Sequence, residues 1–125
     1  MTRKVLVIED NSDNSKLISY ALNRAGYEVI IAGSGEEGAE FALRDRFFFI
    51  LMDINLPGIE GIETTRRIRN SGAERDVPII AVTSYVMTGD GERIMEAGCS
   101  GYIEKPIDPI TIIESIHKII GLGRP

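Results

Sequence analysis

Five short apolar runs alternate with segments of helical periodicity, and this alternation constrains the fold more than any other feature of the chain. The runs begin near Lys4, Tyr27, Phe47, Val77 and Gly101, so they start 20 to 30 residues apart in a chain of 125 residues. Strands of all-β folds usually recur faster, about every 8 to 12 residues. The spacing therefore predicts strands that alternate with helices, in the order βαβαβαβαβα.

The segments between the runs carry an apolar helical face and residues typical of helix ends. The faces of the first and last helices consist of Leu17, Ile18, Ala21, Leu22 and Ala25 and of Ile112, Ile113, Ile116, Ile119 and Ile120. Ser34 is an expected N-cap, and so is Asp108, with Pro109 at the first helical position. A left-handed residue that ends a helix is expected at Gly26, Gly98 and Gly121.

Two of the runs, Val5–Ile8 and Ile79–Val82, are apolar at every position, as in strands that helices cover on both faces. Parallel strands joined by right-handed helical crossovers form a doubly wound sheet. We expect an α/β fold, a three-layer α/β/α sandwich around a five-stranded parallel sheet. It would occupy residues 1–121 and be followed by a C-terminal tail, 122–125, with no output domain.

Charge and cysteine content exclude several classes of function. The 14 basic and 19 acidic side chains give a net charge of -5, which disfavours binding to nucleic acid or to an anionic membrane. The longest apolar run, Phe47–Met52, is far shorter than the roughly 20 residues of a membrane-spanning helix. Cys99 is the only cysteine, so neither an intrachain disulfide nor a Cys/His zinc site is possible. These features favour a cytoplasmic protein.

Polar side chains of a particular kind follow the predicted strands, where ligands bind in open α/β sheets. Glu9 and Asp10 follow the first strand, Asp53 ends the third, Thr83 ends the fourth and Lys105 follows the fifth. Clustered carboxylates raise one another's pKa unless a cation intervenes, and Mg²⁺ prefers such oxygen ligands. A carboxylate can also attack phosphorus while a metal ion, a lysine and a hydroxyl stabilise the phosphoryl oxygens. The set predicts phosphoryl transfer onto Asp53.

These motifs, taken in order, resemble the receiver domain of two-component response regulators. The resemblance covers essentially the whole chain and rests on Glu9-Asp10-Asn11, Leu51–Gly58 around Asp53, Thr83-Ser84 and Lys105-Pro106. It implies the flavodoxin-like (CheY-like) strand order 2-1-3-4-5. It also implies that a histidine kinase or a histidine phosphotransfer protein phosphorylates Asp53. Such a phosphoacceptor catalyses only its own phosphorylation and dephosphorylation, so we do not expect an enzyme that acts on other substrates.

The resemblance also assigns roles to individual residues. Glu9 and Asp10 would hold Mg²⁺ together with Asp53 and the backbone carbonyl of Asn55. Lys105 would pair with the phosphoryl group.

Three further positions take roles from the resemblance. Thr83 would be the switch hydroxyl, and Tyr102 would be the aromatic residue that swings inward behind it. The peptide bond between Lys105 and Pro106 would be cis, which only X-Pro bonds tolerate readily.

The resemblance places the output on a partner protein that binds the face formed by the fourth helix, the fifth strand and the fifth helix. The protein would be a monomer or a phosphorylation-dependent dimer. The segments Val82–Met87 and Ala97–Cys99 are most similar to those of single-domain cell-cycle regulators and of receivers in hybrid histidine kinases. Whether the chain is a single-domain regulator or a piece of a hybrid kinase stays open at this point.

Three positions depart from the family pattern or modify it. Phe48 stands where relatives commonly carry an acidic residue, five positions before Asp53. Asn55 and Tyr85 lie two positions after Asp53 and Thr83, where they would border the path of the water that attacks the phosphoryl group. Because Tyr85 is bulky, we hypothesise slow autodephosphorylation.

Two other classes share part of this pattern. A phosphatase of the haloacid dehalogenase type also uses an aspartate at a strand end, but it needs a second acid two residues later, where this chain has Asn55. A flavodoxin-like electron carrier needs a phosphate-binding loop after the first strand, and the carboxylates of Glu9 and Asp10 would repel a phosphate. Both hypotheses are therefore weaker than the receiver hypothesis.

Overall fold

The parallel sheet predicted from the sequence is present, with the predicted strand order. In the computed structural model, which describes residues 3–54, 61–71, 76–84 and 90–121, the sheet has the order β2-β1-β3-β4-β5. All four neighbouring pairs are parallel. The strands are β1 (Arg3–Ile8), β2 (Tyr27–Ala32), β3 (Ile50–Asp53), β4 (Ile79–Thr83) and β5 (Gly101–Glu104). The doubly wound, flavodoxin-like architecture is therefore confirmed.

Helices cover both faces of this sheet. They are α1 (Ser12–Arg24), α2 (Gly35–Arg44), α3 (Gly61–Asn70), α4 (Asp90–Ala97) and α5 (Ile112–Ile120). Strand β1 alternates between two cores, because Leu6 and Ile8 pack with α2, α3 and α4, whereas Val5 and Val7 pack with α1 and α5. None of the helices within the described ranges combines the length and the apolar character needed to cross a membrane. The result is the expected three-layer sandwich.

Several predicted element ends are confirmed. The hydroxyl of Ser34 accepts a hydrogen bond from the amide of Glu37 at 3.2 Å, so Ser34 caps α2. The glycines expected in the left-handed region after α1, α4 and α5 all have positive φ, namely Gly26, Gly98 and Gly121. The strands β3 and β4 begin later than the apolar runs that predicted them, at Ile50 and Ile79.

The predicted start of α5 is wrong. Asp108 does not cap the helix, which begins at Ile112 with Thr111 as its N-cap residue. The Asp108 carboxylate instead accepts a hydrogen bond from the amide of Ile110 at 2.9 Å, and this local bond holds a separate turn ahead of the helix. Pro109 is therefore a turn residue rather than the first residue of α5.

Phe48, the residue that departs from the family pattern, lies just before β3 and makes aromatic contacts. Its ring stacks on Tyr27 at 6.0 Å between centroids, and the guanidinium of Arg3 lies 4.2 Å from its centroid. The Tyr27 hydroxyl in turn lies 2.8 Å from Nε2 of His117 in α5. These contacts join the amino-terminal end of the sheet to the last helix, far along the strands from Asp53.

Gly38 provides a test of the packing between α2 and β1. A Cβ atom at Gly38 would lie 2.7 Å from Cγ1 of Ile8 and would also clash with its Cδ1. We expect Gly38→Ala to lower the free energy of unfolding by about 1–2 kcal/mol, because overpacking outweighs the higher helix propensity of alanine. Urea denaturation of Gly38→Ala, Ile8→Val and the double variant measures this. The loss should be smaller in the Ile8→Val background, which lacks Cδ1, and an unchanged stability of Gly38→Ala would contradict the packing argument.

Candidate functional site

The candidate site lies where β1, β3, β4 and β5 end, at one edge of the sheet. Glu9 follows β1, and its amide donates a hydrogen bond to the carbonyl of Ala32 at 2.9 Å, which fixes the turn after the strand. Asp53 is the last residue of β3 and Thr83 the last of β4. Glu9, Asp53 and Thr83 are 4%, 5% and 4% exposed, so the fold buries three polar side chains together at this edge.

Three carboxylates meet at this edge. Glu9, Asp10 and Asp53 each offer an oxygen within 4.8 Å of the others, and Asp10 is the exposed member. Burial and the neighbouring charge of Asp53 raise the pKa of Glu9 to about 7, although the Asn11 amide and Lys105 act in the opposite direction. Carboxylates in this arrangement attract a hard divalent cation, and oxygen ligands of this kind fit Mg²⁺.

Lys105 brings a positive charge to the buried aspartate. Its Nζ lies 3.2 Å from Oδ2 of Asp53, and its side chain is 23% exposed. The Lys105 amide donates to the carbonyl of Thr83 at 2.7 Å, so the chain after β5 stays beside the end of β4. The peptide bond from Lys105 to Pro106 is cis. The ammonium group is thus held at the carboxylate that the sequence marks as the phosphoacceptor.

Tyr102 lies on β5, away from the carboxylate cluster. It pairs with Ala81 in the register of β4 and β5, and its side chain is 39% exposed. Its ring borders α4, since a Cβ atom at Gly91 would lie 3.4 Å from Cε1 and from the hydroxyl of Tyr102. The structure therefore brings Glu9, Asp10, Asp53, Thr83 and Lys105 to the sheet edge and puts Tyr102 on β5, with its ring beside α4.

Some predicted positions fall outside the described residues. These are Asn55, whose carbonyl was expected to bind the metal, and Tyr85, which was expected to shield the phosphoryl group.

The sequence patterns did not indicate the roles of two residues beside the site, Gly61 and Asn11. Gly61, the first residue of α3, packs so closely that a Cβ atom there would lie 2.9 Å from the carbonyl oxygen of Asp53. The only hint in the sequence is a glycine at the start of an otherwise regular helix. Asn11 has two functions, because its amide donates to Glu9 at 3.3 Å while its side chain caps α1 through the amide of Asn14.

Comparison with known proteins identifies the family. The family model of the response regulator receiver domain matches residues 5–117. The chain belongs to this family. It is 41% identical over 121 residues to the polar-differentiation response regulator DivK of Brucella ovis, with 97% of this chain and 98% of that protein covered.

Solved receiver structures have the same fold. The chemotaxis response regulator CheY4 of Vibrio cholerae superimposes with a TM-score of 0.90 at 28% identity, covering 95% of this chain and 99% of that one. The receiver domain of the sensor histidine kinase PA1611 of Pseudomonas aeruginosa PAO1 has a TM-score of 0.87 at 35% identity, covering 97% and 99%. That structure has a magnesium ion coordinated in its active site cleft. The resemblance of the chain to receiver domains and to single-domain regulators is confirmed. Nothing in these comparisons supports the phosphatase or electron-carrier hypotheses.

The raised pKa of Glu9 makes a prediction for the protein without metal ions. In the folded state the pKa of Glu9 is raised to about 7, whereas an unperturbed glutamate has a pKa of 4.5. The folded state then binds more protons than the unfolded state between these values, so this group lowers stability as the pH rises through that window. In EDTA at pH 8 we expect Glu9→Gln to increase the free energy of unfolding by about 2 kcal/mol, with little effect at pH 4.

Chemical denaturation at the two pH values tests this prediction. Glu36→Gln is the control, because Glu36 is an exposed acid in the first turn of α2. Mg²⁺ should stabilise the wild type more than Glu9→Gln. If Glu9→Gln is less stable than the wild type at pH 8 in EDTA, the negative charge of Glu9 does not destabilise the folded protein.

Proposed function

We propose that Asp53 accepts a phosphoryl group from a histidine kinase or a histidine phosphotransfer protein and that the new charge changes a protein-binding surface. The contact between Nζ of Lys105 and Oδ2 of Asp53 at 3.2 Å, within the cluster of carboxylates, carries this proposal. A buried aspartate that only supported the fold would need a partner, but not two further carboxylates beside it. Membership in the receiver family is consistent with the same chemistry.

The proposed reaction transfers one phosphoryl group between two side chains. A carboxylate oxygen of Asp53 attacks the phosphorus of the donor phosphohistidine and forms the P–O bond of an acyl phosphate. The P–N bond breaks, and its electron pair stays on the donor nitrogen. If the other ring nitrogen carries a proton, neutral imidazole leaves directly; if it does not, the imidazolate takes a proton from water. Lys105 balances the charge of the phosphoryl oxygens during transfer, and the hydroxyl of Thr83 donates to one of them.

We assign a Mg²⁺ site to Glu9, Asp10, Asp53 and the backbone carbonyl of Asn55. The donor set supports this assignment, because three carboxylates lie together and each can offer an oxygen. When bound, Mg²⁺ would offset the charge of the carboxylates and of the phosphoryl oxygens. The Pseudomonas receiver with magnesium in its cleft supports the same choice of ion.

We assign the output to the face formed by α4, β5 and α5. Thr83 would move toward the phosphoryl group, and the exposed ring of Tyr102 would follow inward, which changes the surface beside α4. Exposed Met95 and Tyr102, together with Ile107, lie on this face, whereas Ile94 is buried in the core. The ligand of this face would be a partner protein, and the phosphorylated form would bind it as a monomer or as a dimer.

We place the reaction in the cytoplasm, and the chain would act as a phosphoacceptor rather than as an enzyme for other substrates. Membership in the receiver family supports both statements, and the single cysteine, which can form no intrachain disulfide, fits a reducing compartment. Slow autodephosphorylation, for which Tyr85 is the proposed cause, would give the phosphorylated state a long lifetime.

Intact-mass spectrometry tests the phosphoacceptor. After incubation with acetyl phosphate and Mg²⁺, we expect one phosphoryl group on the wild type and none on Asp53→Asn or in EDTA, because transfer needs both the carboxylate and the cation. Asp45→Asn is the matched control, since Asp45 is an exposed aspartate outside the carboxylate cluster. An adduct on Asp53→Asn, or no adduct on folded wild type while a reference receiver reacts, would contradict the proposal.

Fluorine NMR with 3-fluorotyrosine tests the switch residues. In the wild type we expect the resonance of Tyr102, assigned with Tyr102→Phe, to shift when acetyl phosphate is added. Thr83→Ala should still gain the phosphoryl group but should lose most of this shift, because no hydroxyl follows the phosphoryl oxygens. Thr83→Ser, which keeps the hydroxyl, should restore the shift of the Tyr102 resonance. A full shift in Thr83→Ala would show that Tyr102 responds independently of the Thr83 hydroxyl.

A further inference from the structure

One side of α3 connects the backbone of Asp53 to the end of α4. Gly61, Thr65 and Arg69 are spaced by four residues, so they lie along the same side of the helix. The distance from the first to the third is about 12 Å, at a rise of about 1.5 Å per residue. All three contact residues outside α3, and these contacts follow one another from the candidate site toward the turn between α4 and β5.

The first contact is at the phosphoacceptor itself. The amide of Gly61 donates to the carbonyl of Ile54 at 2.9 Å, and Ile54 follows Asp53 directly. A side chain at Gly61 would collide with the backbone of Asp53 and Ile54, both at 2.9 Å. The start of α3 therefore has little room to move independently of the strand end that carries Asp53.

The second contact lies half-way along the helix. Thr65 is fully buried, and its hydroxyl donates to the carbonyl of Gly61 at 2.9 Å. The same hydroxyl lies 3.6 Å from Sγ of Cys99, a buried residue just beyond α4. This cysteine thus packs against α3 rather than standing open to reagents.

The third contact is the strongest. Arg69 donates from Nε to the carbonyl of Gly98 at 2.8 Å and from Nη1 to the carbonyl of Val77 at 2.5 Å. Gly98 directly follows α4 and has a φ of +115°, and a Cβ atom there would lie 2.8 Å from Cγ of Arg69. The left-handed glycine and the arginine stem therefore fit closely, and the guanidinium joins the end of α4 to the chain that enters β4.

We propose that Arg69 is a latch that holds the end of α4 in its resting position and that opposes the response of α4 to a phosphoryl group on Asp53. The inference rests on the proposed function, because it takes α4 to be part of the output face. Movement of α4 relative to α3 would stretch the bond from Arg69 to the Gly98 carbonyl. Since this bond favours the resting state, its removal should favour the state that binds a phosphoryl group, by thermodynamic linkage.

Arg69→Met is the test variant. Methionine keeps much of the apolar stem that packs on Gly98 but has no N–H groups for the two carbonyls. Arg67→Met is the matched control, because Arg67 is an exposed arginine of the same helix that pairs only loosely with Glu63 at 3.4 Å. Circular dichroism and thermal denaturation establish that both variants are folded, and Arg69→Lys is the substitute if Arg69→Met is not.

Two measurements decide the proposal. Amide hydrogen exchange over residues 90–98 should accelerate roughly tenfold in Arg69→Met without phosphodonor and less than twofold in Arg67→Met. The affinity for beryllofluoride with Mg²⁺, a mimic of the aspartyl phosphate, should rise several-fold in Arg69→Met, as measured by NMR titration. If amide exchange over residues 90–98 is unchanged in Arg69→Met, the latch proposal is wrong. If this exchange is faster but the affinity for beryllofluoride is unchanged, Arg69 has a purely structural role and the proposal is also wrong.

The same data separate this inference from the proposed function. Exchange in the wild type with and without beryllofluoride reports whether α4 responds to the site at all. If the wild type binds the mimic without any change in amide exchange over residues 90–98, the assignment of the output face is wrong, and the latch proposal is wrong for the same reason. If the wild type responds and Arg69→Met does not differ from Arg67→Met, only the latch is wrong.

Discussion

The structure depends on the crowding of negative charge at one edge of the sheet. Parallel strands joined by helices bring Glu9, Asp10 and Asp53 together, and burial of Glu9 and Asp53 removes much of the water that would screen their charges. The ammonium of Lys105 offsets only part of this charge, and Glu9 consequently holds its proton to about pH 7. The folded chain therefore contains a site whose electrostatic energy falls when a cation binds. This is the physical reason for the proposed Mg²⁺, which would offset the charge of the carboxylates and of a phosphoryl group on Asp53.

The two cores give this site different surroundings on the two faces of the sheet. Met52 packs in the same core as Ile68 of α3, Ile94 of α4 and Cys99. Leu51 packs on the other face, with residues of α1 and α5. Because interiors are close-packed, a shift of the strand end that carries Asp53 would disturb its contacts with α3 and α4 in this core. The packing of α4 is thus shared with α3 and β3.

Most of the fold and the centre of the site could be predicted because their signals are local in the sequence. Apolar runs and their spacing indicated the strands, and the residue types at strand ends indicated Asp53, Thr83 and Lys105. The start of α5 was predicted wrongly, since the Asp108 carboxylate has a nearer partner in Ile110 than in the helix. The contact between Arg69 and Gly98 gave no signal, because it joins a side chain to a backbone carbonyl 29 residues away. Patterns of residue type do not encode such contacts.

The two cations near the site differ in what they can sense. Lys105 carries a compact ammonium group against a carboxylate, and a phosphoryl group on Asp53 would change the charge that it faces. Arg69 presents a planar, forked guanidinium to two backbone carbonyls, whose charge never changes. Lys105 would therefore respond to a change of charge, whereas the bonds from Arg69 to these two carbonyls would respond to a change of geometry. In the proposed switch, a change of charge at Asp53 would become a signal only because contacts such as that of Arg69 with Gly98 define the arrangement of helices that it must alter.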